Sequence, residues 1–310
     1  MNVGGDAGPA PPFFIVGSAR SGTTLLRLML NAHPEVAIPP ESRFITEMWR
    51  DKPQVEVEPV LDALGRHDRF RLWELPIEEV RAELDGGPAR ITAPYTEVME
   101  APYRAWARRR DKPLWGDKTP RYVESIPLLS RLWPPARFVH LVRDGRNVAL
   151  SYADVAFGPK TLAKAAALWA RRVRAGVEAG RTLDPGRYLQ MRYEDLVEAP
   201  ERHARTLCGF LGLPFDPVVL DYVERGRDAV LPRAAANNPN VTKPLMAQTR
   251  SWERAMPGGQ VEVFEALAGD VLSELGYPRR YPVPSGAAAL RARLGRMGIP
   301  VDRLPTSRAD

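Results

Sequence analysis

The sequence has few cysteines, few lysines and no long apolar run. Cys208 is the single cysteine, so no disulfide can form within the chain. No apolar run approaches the ~18 residues that a membrane span requires. Residues 1–12 (MNVGGDAGPAPP) contain neither a basic start nor an apolar block, so we expect a disordered tail there and no secretory signal. Together these absences predict a cytoplasmic protein without a membrane span.

Arginine supplies most of the positive charge. Lys+Arg number 44 against 38 Asp+Glu, which gives a net charge of +6, and only six of the 44 are lysines. The excess arginine fits the general abundance of Ala, Pro and Gly, although a preference for forked anion contacts is an alternative explanation. Because the basic residues are scattered, nucleic-acid binding is not predicted. The 44% apolar content excludes wholesale disorder.

Short apolar runs alternate with helical stretches. Residues 13–16, 138–142 and 188–191 are each apolar and read as strands, the first two being followed by a glycine-containing turn and a helix. Alternation of this kind predicts an α/β domain with a central, mostly parallel sheet and helices on both faces.

The rest of the chain divides around that sheet. We expect one domain over residues 13–280, with a helical insertion at about 56–112 and a long loop at about 230–258 that acts as a lid. Residues 281–310 form a C-terminal appendage in this prediction, and its role and the oligomeric state are left open.

The turn after the first strand has the spacing of a phosphate-binding loop. Residues 17–24 (GSARSGTT) fit G-x-x-x-x-G and lie between a strand and a helix, where backbone N–H groups and the helix N-terminus attract an anion. Thr23 stands where a triphosphate-cleaving loop has lysine, and Arg20 provides a cation earlier in the loop. The loop is therefore expected to hold a phosphate; a kinase, or a tight turn without a ligand, is the alternative.

Residues 14–24 (FIVGSARSGTT) resemble the 5′-phosphosulfate loop of sulfotransferases that use 3′-phosphoadenosine 5′-phosphosulfate (PAPS). Residues 25–36 are similar to the tyrosylprotein and bacterial small-molecule branch of that family. The resemblance implies a P-loop-like three-layer α/β/α fold, PAPS as co-substrate and no metal. It also implies that the loop binds the phosphosulfate through Arg20, Ser21, Gly22, Thr23 and Thr24.

A second motif follows the strand at 138–142. Residues 142–151 (VRDGRNVALS) are similar to the family's 3′-phosphate site, which implies that Arg143 and Ser151 bind that group. An arginine and a hydroxyl facing one cleft suit a phosphate dianion, whereas a solvated Arg143–Asp144 pair is the alternative. Tyr193 resembles the family's adenine- or phosphate-contacting tyrosine.

The late loop contains a basic residue that resembles the family's nucleotide-contacting one. That residue is Arg250, just before Trp252. Because the spacing departs from the family pattern, Lys243 or Arg254 could serve instead.

Three side chains are candidates for the chemistry. The resemblance implies that Glu41, in residues 39–43 (PPESR), is the general base. It implies that Lys118, in a turn bounded by glycine and proline, stabilises the transition state together with Arg20. A capping role for Glu41 and an ion pair between Lys118 and Asp117 are the alternatives.

Two histidines are rival bases. His33 ends the first helix, and His140 lies inside an apolar strand. Both positions favour a structural role.

We therefore predict transfer of a sulfuryl group from PAPS to a hydroxyl of a small-molecule acceptor (a metabolite, glycoside or lipid), in the setting of bacterial secondary metabolism. A P-loop kinase or a nucleotide-binding protein without turnover is the alternative. Five aromatic side chains of the insertion either line the acceptor pocket or pack in the core: Phe70, Trp73, Tyr95, Tyr103 and Trp106.

Overall fold

A five-stranded parallel sheet forms the centre of the molecule. The computed structural model describes residues 11–84, 91–222, 251–300 and 304. Within that part of the chain the strand order is β2-β5-β1-β6-β7, with every neighbouring pair parallel. The strands are β1 (Phe13–Gly17), β2 (Val36–Ala37), β5 (Leu114–Lys118), β6 (Arg137–Val142) and β7 (Tyr188–Arg192). A separate antiparallel ribbon pairs β3 (Gln54–Glu56) with β4 (Thr92–Pro94).

The three predicted strands are confirmed as β1, β6 and β7. Strand β5 corrects the prediction for Lys118, which is the last residue of a buried strand and not part of a turn. Its sequence, LWGDK, has none of the β-branched residues that are typical of strands. Gly116 is needed there, because a Cβ at this position would lie 2.3 Å from the ring of Phe13.

Helices cover the sheet and connect its strands. Those before β5 are α1 (Thr23–Ala32), α2 (Phe44–Glu47), α3 (Val57–Arg66), α4 (Asp68–Arg71), α5 (Ile77–Arg81) and α6 (Tyr95–Arg108). Those after β5 are α7 (Ile126–Leu132), α8 (Gly145–Ala153), α9 (Leu162–Thr182), α10 (Tyr193–Glu198), α11 (Pro200–Leu211), α12 (Trp252–Ala255), α13 (Gly258–Glu274) and α14 (Gly286–Arg296). Two 3₁₀ helices span Pro120–Ser125 and Pro217–Leu220.

Side chains of β1 divide between the two faces of the sheet, as the period of a strand requires. Phe14 and Val16 belong to a core shared with the insertion helices. Phe13 and Ile15 belong to a core shared with α1 and α11. The predicted three-layer α/β/α arrangement is therefore confirmed.

The insertion at 56–112 contains α3 to α6, with β4 completing the ribbon. Phe70, Trp73, Tyr95 and Tyr103 are buried in its core, whereas Trp106 is partly buried against it. Ring centroids of Trp73 and Tyr103 are 5.0 Å apart, so these aromatic residues pack against one another. The structure supports the core alternative for these four residues.

The C-terminal segment also contributes to a core. Ala288 and Ala292 of α14 are buried in the cluster that contains α8, α9 and α13. Most of the expected tail (residues 1–10) and of the expected lid (residues 230–250) lies outside the described residues. No helix in the described ranges combines the length and apolar character needed to cross a bilayer.

Candidate active site

The loop at 17–22 brings backbone donors towards the start of α1. Gly17 and Gly22 have φ values of +154° and +94°, a region that favours glycine, and Arg20 has a φ of +74°. Ser21 N–H donates to the Ser18 carbonyl at 3.2 Å, which closes the turn. Gly22 is the N-cap of α1, and no described side chain caps the helix, so its first N–H groups stay available to an anion.

The hydroxyl of Ser21 also supports anion binding by the loop. Its Oγ is buried and has no hydrogen-bond partner among the described residues. A buried polar atom of this kind is costly unless a ligand satisfies it. The loop is therefore suited to a phosphate group.

On the β6 side of the loop, the predicted residues of the two motifs meet. Arg20 Nε donates to Ser151 Oγ of α8 at 2.9 Å. Arg143, which follows β6, donates from Nη1 to the Arg20 carbonyl at 3.3 Å. Burial and the charge of Arg143 lower the pKa of Arg20, against the opposing effects of Tyr152 and Asp154. In the described part of the chain, the buried Nε of Arg143 has no hydrogen-bond partner. An anion with two oxygens would offset the charge repulsion between Arg20 and Arg143, and it would accept a hydrogen bond from Arg143 Nε.

Tyr193 joins this group from the end of β7. The Arg143 guanidinium lies 4.6 Å from the centroid of its ring. The ring also lies against the loop, because a Cβ on Gly22 would be 2.3 Å from it. The structure thus brings Arg20, Ser151, Arg143 and Tyr193 together beside Gly22.

On the β5 side, Glu41 and Lys118 form an ion pair. Lys118 Nζ lies 2.6 Å from Glu41 Oε1 and 3.5 Å from Thr24 Oγ1. The Lys118 side chain is 5% exposed and that of Glu41 is 31% exposed, so the carboxylate is the more accessible partner. The alternative pair of Lys118 with Asp117 is not formed, since Asp117 instead accepts a hydrogen bond from Tyr103 at 2.7 Å.

Burial and charge act in opposite directions on the two carboxyl groups. For Glu41, burial would raise the pKa, but the charge and hydrogen bond of Lys118, with Arg69 and Arg43, bring it below its ordinary value. Burial raises the pKa of Asp117 to about 6, against the hydrogen bond from Tyr103. Glu41 is therefore ionised at neutral pH, as a general base must be.

The two rival histidines have structural partners. His33 Nε2 hydrogen bonds to the Pro214 carbonyl at 2.9 Å, and its Nδ1 accepts the N–H of Glu35. His140 Nδ1 lies 2.6 Å from the Tyr188 hydroxyl, and burial lowers the pKa of His140 to about 3. Both geometries agree with the structural role that the sequence favoured.

Three contacts near the site were not predicted. Glu194 accepts the N–H of Asp144 at 3.1 Å and the hydroxyl of Tyr277 at 2.9 Å, which fixes the start of α8. Asn147 accepts the N–H of Trp252 at 2.9 Å. The features of the sequence that could have indicated these contacts are Glu194, which follows Tyr193, and Asn147, which lies four residues after Arg143.

Buried charges next to Arg143 are also paired. Arg146 lies 2.7 Å from both Asp144 and Glu265, and its guanidinium lies 3.6 Å from the ring centroid of Trp252. Asp144 therefore pairs with Arg146, and not with Arg143 as the alternative interpretation of the sequence had it.

The basic residue expected near Trp252 is not assigned by the structure. Arg250 and Lys243 lie outside the described residues, and Arg254 is exposed on α12. Among the side chains that the structure describes, no group of His, Cys, Asp or Glu is arranged to hold a metal ion.

Comparison with known proteins identifies a family model and several relatives. A model of the sulfotransferase family matches residues 11–217. Protein-tyrosine sulfotransferase A of Caenorhabditis elegans is 26% identical over 86% of this chain and 67% of its own length. Nodulation protein NoeE of Sinorhizobium fredii is 27% identical over 88% of this chain and 67% of its own. The Drosophila melanogaster protein-tyrosine sulfotransferase is matched over 52% of its length, so this chain spans only part of such relatives.

Two solved structures share the fold. The sulfotransferase domain from the curacin biosynthetic pathway has a TM-score of 0.59 and 22% identity, and covers 87% of this chain and 98% of its own. The sulfotransferase domain from the Synechococcus PCC 7002 olefin synthase has a TM-score of 0.60 and 24% identity, and covers 88% and 98%. The family match extends over most of the chain and includes the loop, Glu41, Lys118, Arg143 and Ser151. The chain belongs to the sulfotransferase family, as the sequence predicted.

Proposed function

We propose that the protein transfers a sulfuryl group from PAPS to the hydroxyl of a small-molecule acceptor and releases adenosine 3′,5′-bisphosphate (PAP). The observation that carries this proposal is the Glu41–Lys118 ion pair, 2.6 Å long and next to Thr24 at the phosphate loop. A carboxylate beside a cation at the site of the transferred group provides a base and a stabiliser of developing negative charge.

Glu41 is the general base in this proposal. Its carboxylate takes the proton of the acceptor hydroxyl, and the acceptor oxygen forms a bond to sulfur. The bond between sulfur and the oxygen of the 5′-phosphate breaks, and its electron pair stays on that oxygen. Lys118 and Arg20 stabilise the resulting charge.

The ion pair links these two events. While Glu41 is ionised, it holds Lys118 at hydrogen-bond distance. Once Glu41 has taken a proton, its attraction for the ammonium weakens, and Lys118 becomes available to the phosphate oxygen that is gaining charge. Proton removal and stabilisation of the leaving group are coupled in this way.

The remaining residues bind the nucleotide. Ser21 and the N–H groups of residues 22–24 hold the 5′-phosphate, and Arg143 and Ser151 hold the 3′-phosphate. The orphaned Nε of Arg143 and Oγ of Ser21 support this assignment within the described chain. Tyr193 contacts the adenine or a phosphate. Arg250 remains the proposed contact from the late loop.

The acceptor class is also part of the proposal. A metabolite, glycoside or lipid hydroxyl is preferred, with action in the cytoplasm and in bacterial secondary metabolism. The single cysteine and the absence of an apolar span from the sequence support that setting. A kinase or a nucleotide-binding protein without turnover is not favoured, because Thr23 occupies the position of the lysine that contacts outer phosphates.

Incubation of the protein with PAPS and a panel of hydroxylated metabolites tests the proposal. We expect mass spectrometry to show a product heavier by one SO₃ group, together with stoichiometric PAP. Reactions with Mg·ATP in place of PAPS are the control. Calorimetry that shows tight binding of Mg·ATP and none of PAP would contradict the proposal and select the kinase alternative.

A further inference from the structure

A cluster of buried hydroxyl groups lies next to the Glu41–Lys118 pair in the chain. Ser42 follows Glu41 and is fully buried, and Thr119 follows Lys118 and is 1% exposed. The N–H of Ser42 donates to Thr119 Oγ1 at 3.2 Å, and the two hydroxyls lie 3.3 Å apart. Ser42 Oγ is also 3.0 Å from the hydroxyl of Tyr122.

The Ser42–Thr119 contact joins two parts of the chain that are 77 residues apart. On one side, Thr119 follows the end of β5, which is fixed by pairing with β1 in the centre of the sheet. On the other side, the Ser42 N–H belongs to the peptide group that begins at Glu41. Because a peptide group is planar, a hydrogen bond at this N–H restricts the position of the Glu41 Cα atom.

Glu41 has no regular structure of its own to hold it. Residues 38–43 lie between β2 and α2, outside any helix or strand. Arg43 has a φ of +57°, an unfavourable value for a residue with a side chain, so the backbone is strained here. A contact to the rigid sheet is therefore needed to keep the carboxylate in one place.

A purely packing role would not require these polar groups. Aliphatic side chains fill a buried space without the cost of burying hydroxyls, which is recovered only when the hydrogen bonds are made. The hydroxyls of Ser42 and Thr119 also hydrogen bond to the buried carboxyl of Asp117. The backbone contact from the Ser42 N–H to Thr119 Oγ1 joins the residues that directly follow Glu41 and Lys118, and this contact indicates a role in their geometry.

We propose that Thr119 is a positioning residue for sulfuryl transfer, whose hydroxyl accepts the Ser42 N–H and thereby holds the Glu41 carboxylate against the Lys118 ammonium. The inference rests on the proposed function, since it takes Glu41 as the base and Lys118 as the stabilising cation. Thr119 itself touches neither reactant in this scheme.

The test compares Thr119→Val, which has nearly the same shape but no acceptor, with Thr119→Ser, which keeps the acceptor. Misplacement of a reacting group by about 1 Å lowers rates by about 100-fold, so we expect Thr119→Val to lower kcat by about 10- to 100-fold. KM for PAPS should change by less than about twofold, because the nucleotide contacts are retained. Thr119→Ser should restore most of kcat.

A second measurement does not depend on turnover. Carbon NMR of the glutamate carboxyl groups in the unliganded protein, assigned by comparison with Glu41→Gln, reports the pKa of Glu41. Lys118, Arg43 and Arg69 lower that pKa, and burial raises it. Thr119→Val should raise the pKa of Glu41, because Lys118 is no longer held beside it, and Thr119→Ser should leave it near the wild-type value.

Tyr188→Phe is the matched control. It also removes a hydroxyl that makes a hydrogen bond, but this hydroxyl belongs to the partly buried first residue of β7 and contacts His140. It should change neither kcat nor the pKa of Glu41. If Thr119→Val does not fold, Thr119→Ala provides the same loss of an acceptor with room for side chains to relax.

The outcomes separate the inference from the proposed function. Wild-type kcat and an unchanged pKa of Glu41 in Thr119→Val, with an inactive Glu41→Gln, would overturn the positioning role alone. Full activity of Glu41→Gln would overturn the assignment of the base, and with it the proposed function. A raised pKa in Thr119→Val that Thr119→Ser does not reproduce supports the inference.

Discussion

The two sides of the phosphate loop differ in how their charges are arranged. On the β5 side, a cation and a carboxylate are paired, with Lys118 Nζ 2.6 Å from Glu41. On the β6 side, two arginines lie close together, since Arg143 donates to the carbonyl of Arg20, and burial and the charge of Arg143 lower the pKa of Arg20. The same sheet edge thus holds one neutral pair and one cluster with excess positive charge.

This difference indicates that the two sides have different functions. A carboxylate whose pKa is held down by a neighbouring cation is available to take a proton at neutral pH. A cluster with excess positive charge is poor at that task and good at holding a dianion. Variants of Glu41 and Lys118 on the β5 side should therefore affect kcat, and variants of Arg143 and Ser151 on the β6 side should affect nucleotide affinity.

Glu41→Gln tests the β5 side most directly. Removal of a positioned base lowers rates by about 10²- to 10⁴-fold, and we expect a loss of kcat in that range without loss of PAP affinity. Steady-state kinetics with PAPS and calorimetry with PAP measure the two quantities. Glu47→Gln is the control, because Glu47 of α2 is a nearby carboxylate that pairs with His67 and Arg121. An equal loss of kcat in both variants would contradict the assignment of the base to Glu41.

Asp117→Asn should change the pH dependence of stability. Burial raises the pKa of Asp117 to about 6, above the unfolded value of 3.8. The folded state therefore binds the proton more tightly than the unfolded chain, so Asp117 costs stability as pH rises from about 4 to 6. A shift of about two units corresponds to roughly 3 kcal/mol.

Urea unfolding at several pH values measures this effect. The free energy of unfolding of the wild type should fall relative to that of Asp117→Asn over that pH range, since the other carboxyl groups titrate in both proteins. Asp184→Asn is the control, since the Asp184 side chain is 83% exposed. A difference between wild type and Asp117→Asn that does not change with pH would contradict the raised pKa of Asp117.

The β6 side was largely predictable from sequence because its residues belong to local motifs. Gly17 and Arg143 directly follow strands that the apolar pattern predicts, and Gly22 and Ser151 lie in the turn or helix that comes next. Parallel strands bring such motifs to the same sheet edge without any further information. The contact between Arg20 and Ser151, 131 residues apart, follows from that arrangement.

The β5 side was less predictable because its contacts depend on packing. Glu41 and Lys118 were identified by resemblance, but strand β5 was missed, and with it the burial of Asp117 and Lys118. The Ser42–Thr119 hydrogen bond joins residues 77 apart that share no motif. Periodicity describes one segment at a time, so contacts of this kind become visible only in the folded chain.

Arg143→Met tests the β6 side. A hydrogen bond to a charged group contributes about 1.5–3 kcal/mol, so we expect PAP affinity to fall by about 10- to 100-fold. Among turnover parameters, KM for PAPS should rise and kcat should change little. Arg137→Met is the matched control, because Arg137 begins the strand that Arg143 follows and lies at the opposite edge of the sheet. A loss of kcat without a loss of affinity would contradict the assignment of this side to binding.

His140→Gln should have the smallest effect on the reaction. Burial lowers the pKa of His140 to about 3, so its ring is neutral and cannot produce an ionisation of kcat between about pH 5.5 and 7.5. Because the folded pKa lies below the unfolded value of 6.5, His140 contributes stability above about pH 6.5 that is lost as pH falls towards 3. The variant should therefore lose this pH dependence of unfolding while kcat stays within about twofold of wild type. A large loss of kcat would place the base on β6 and reverse the division of work between the two sides.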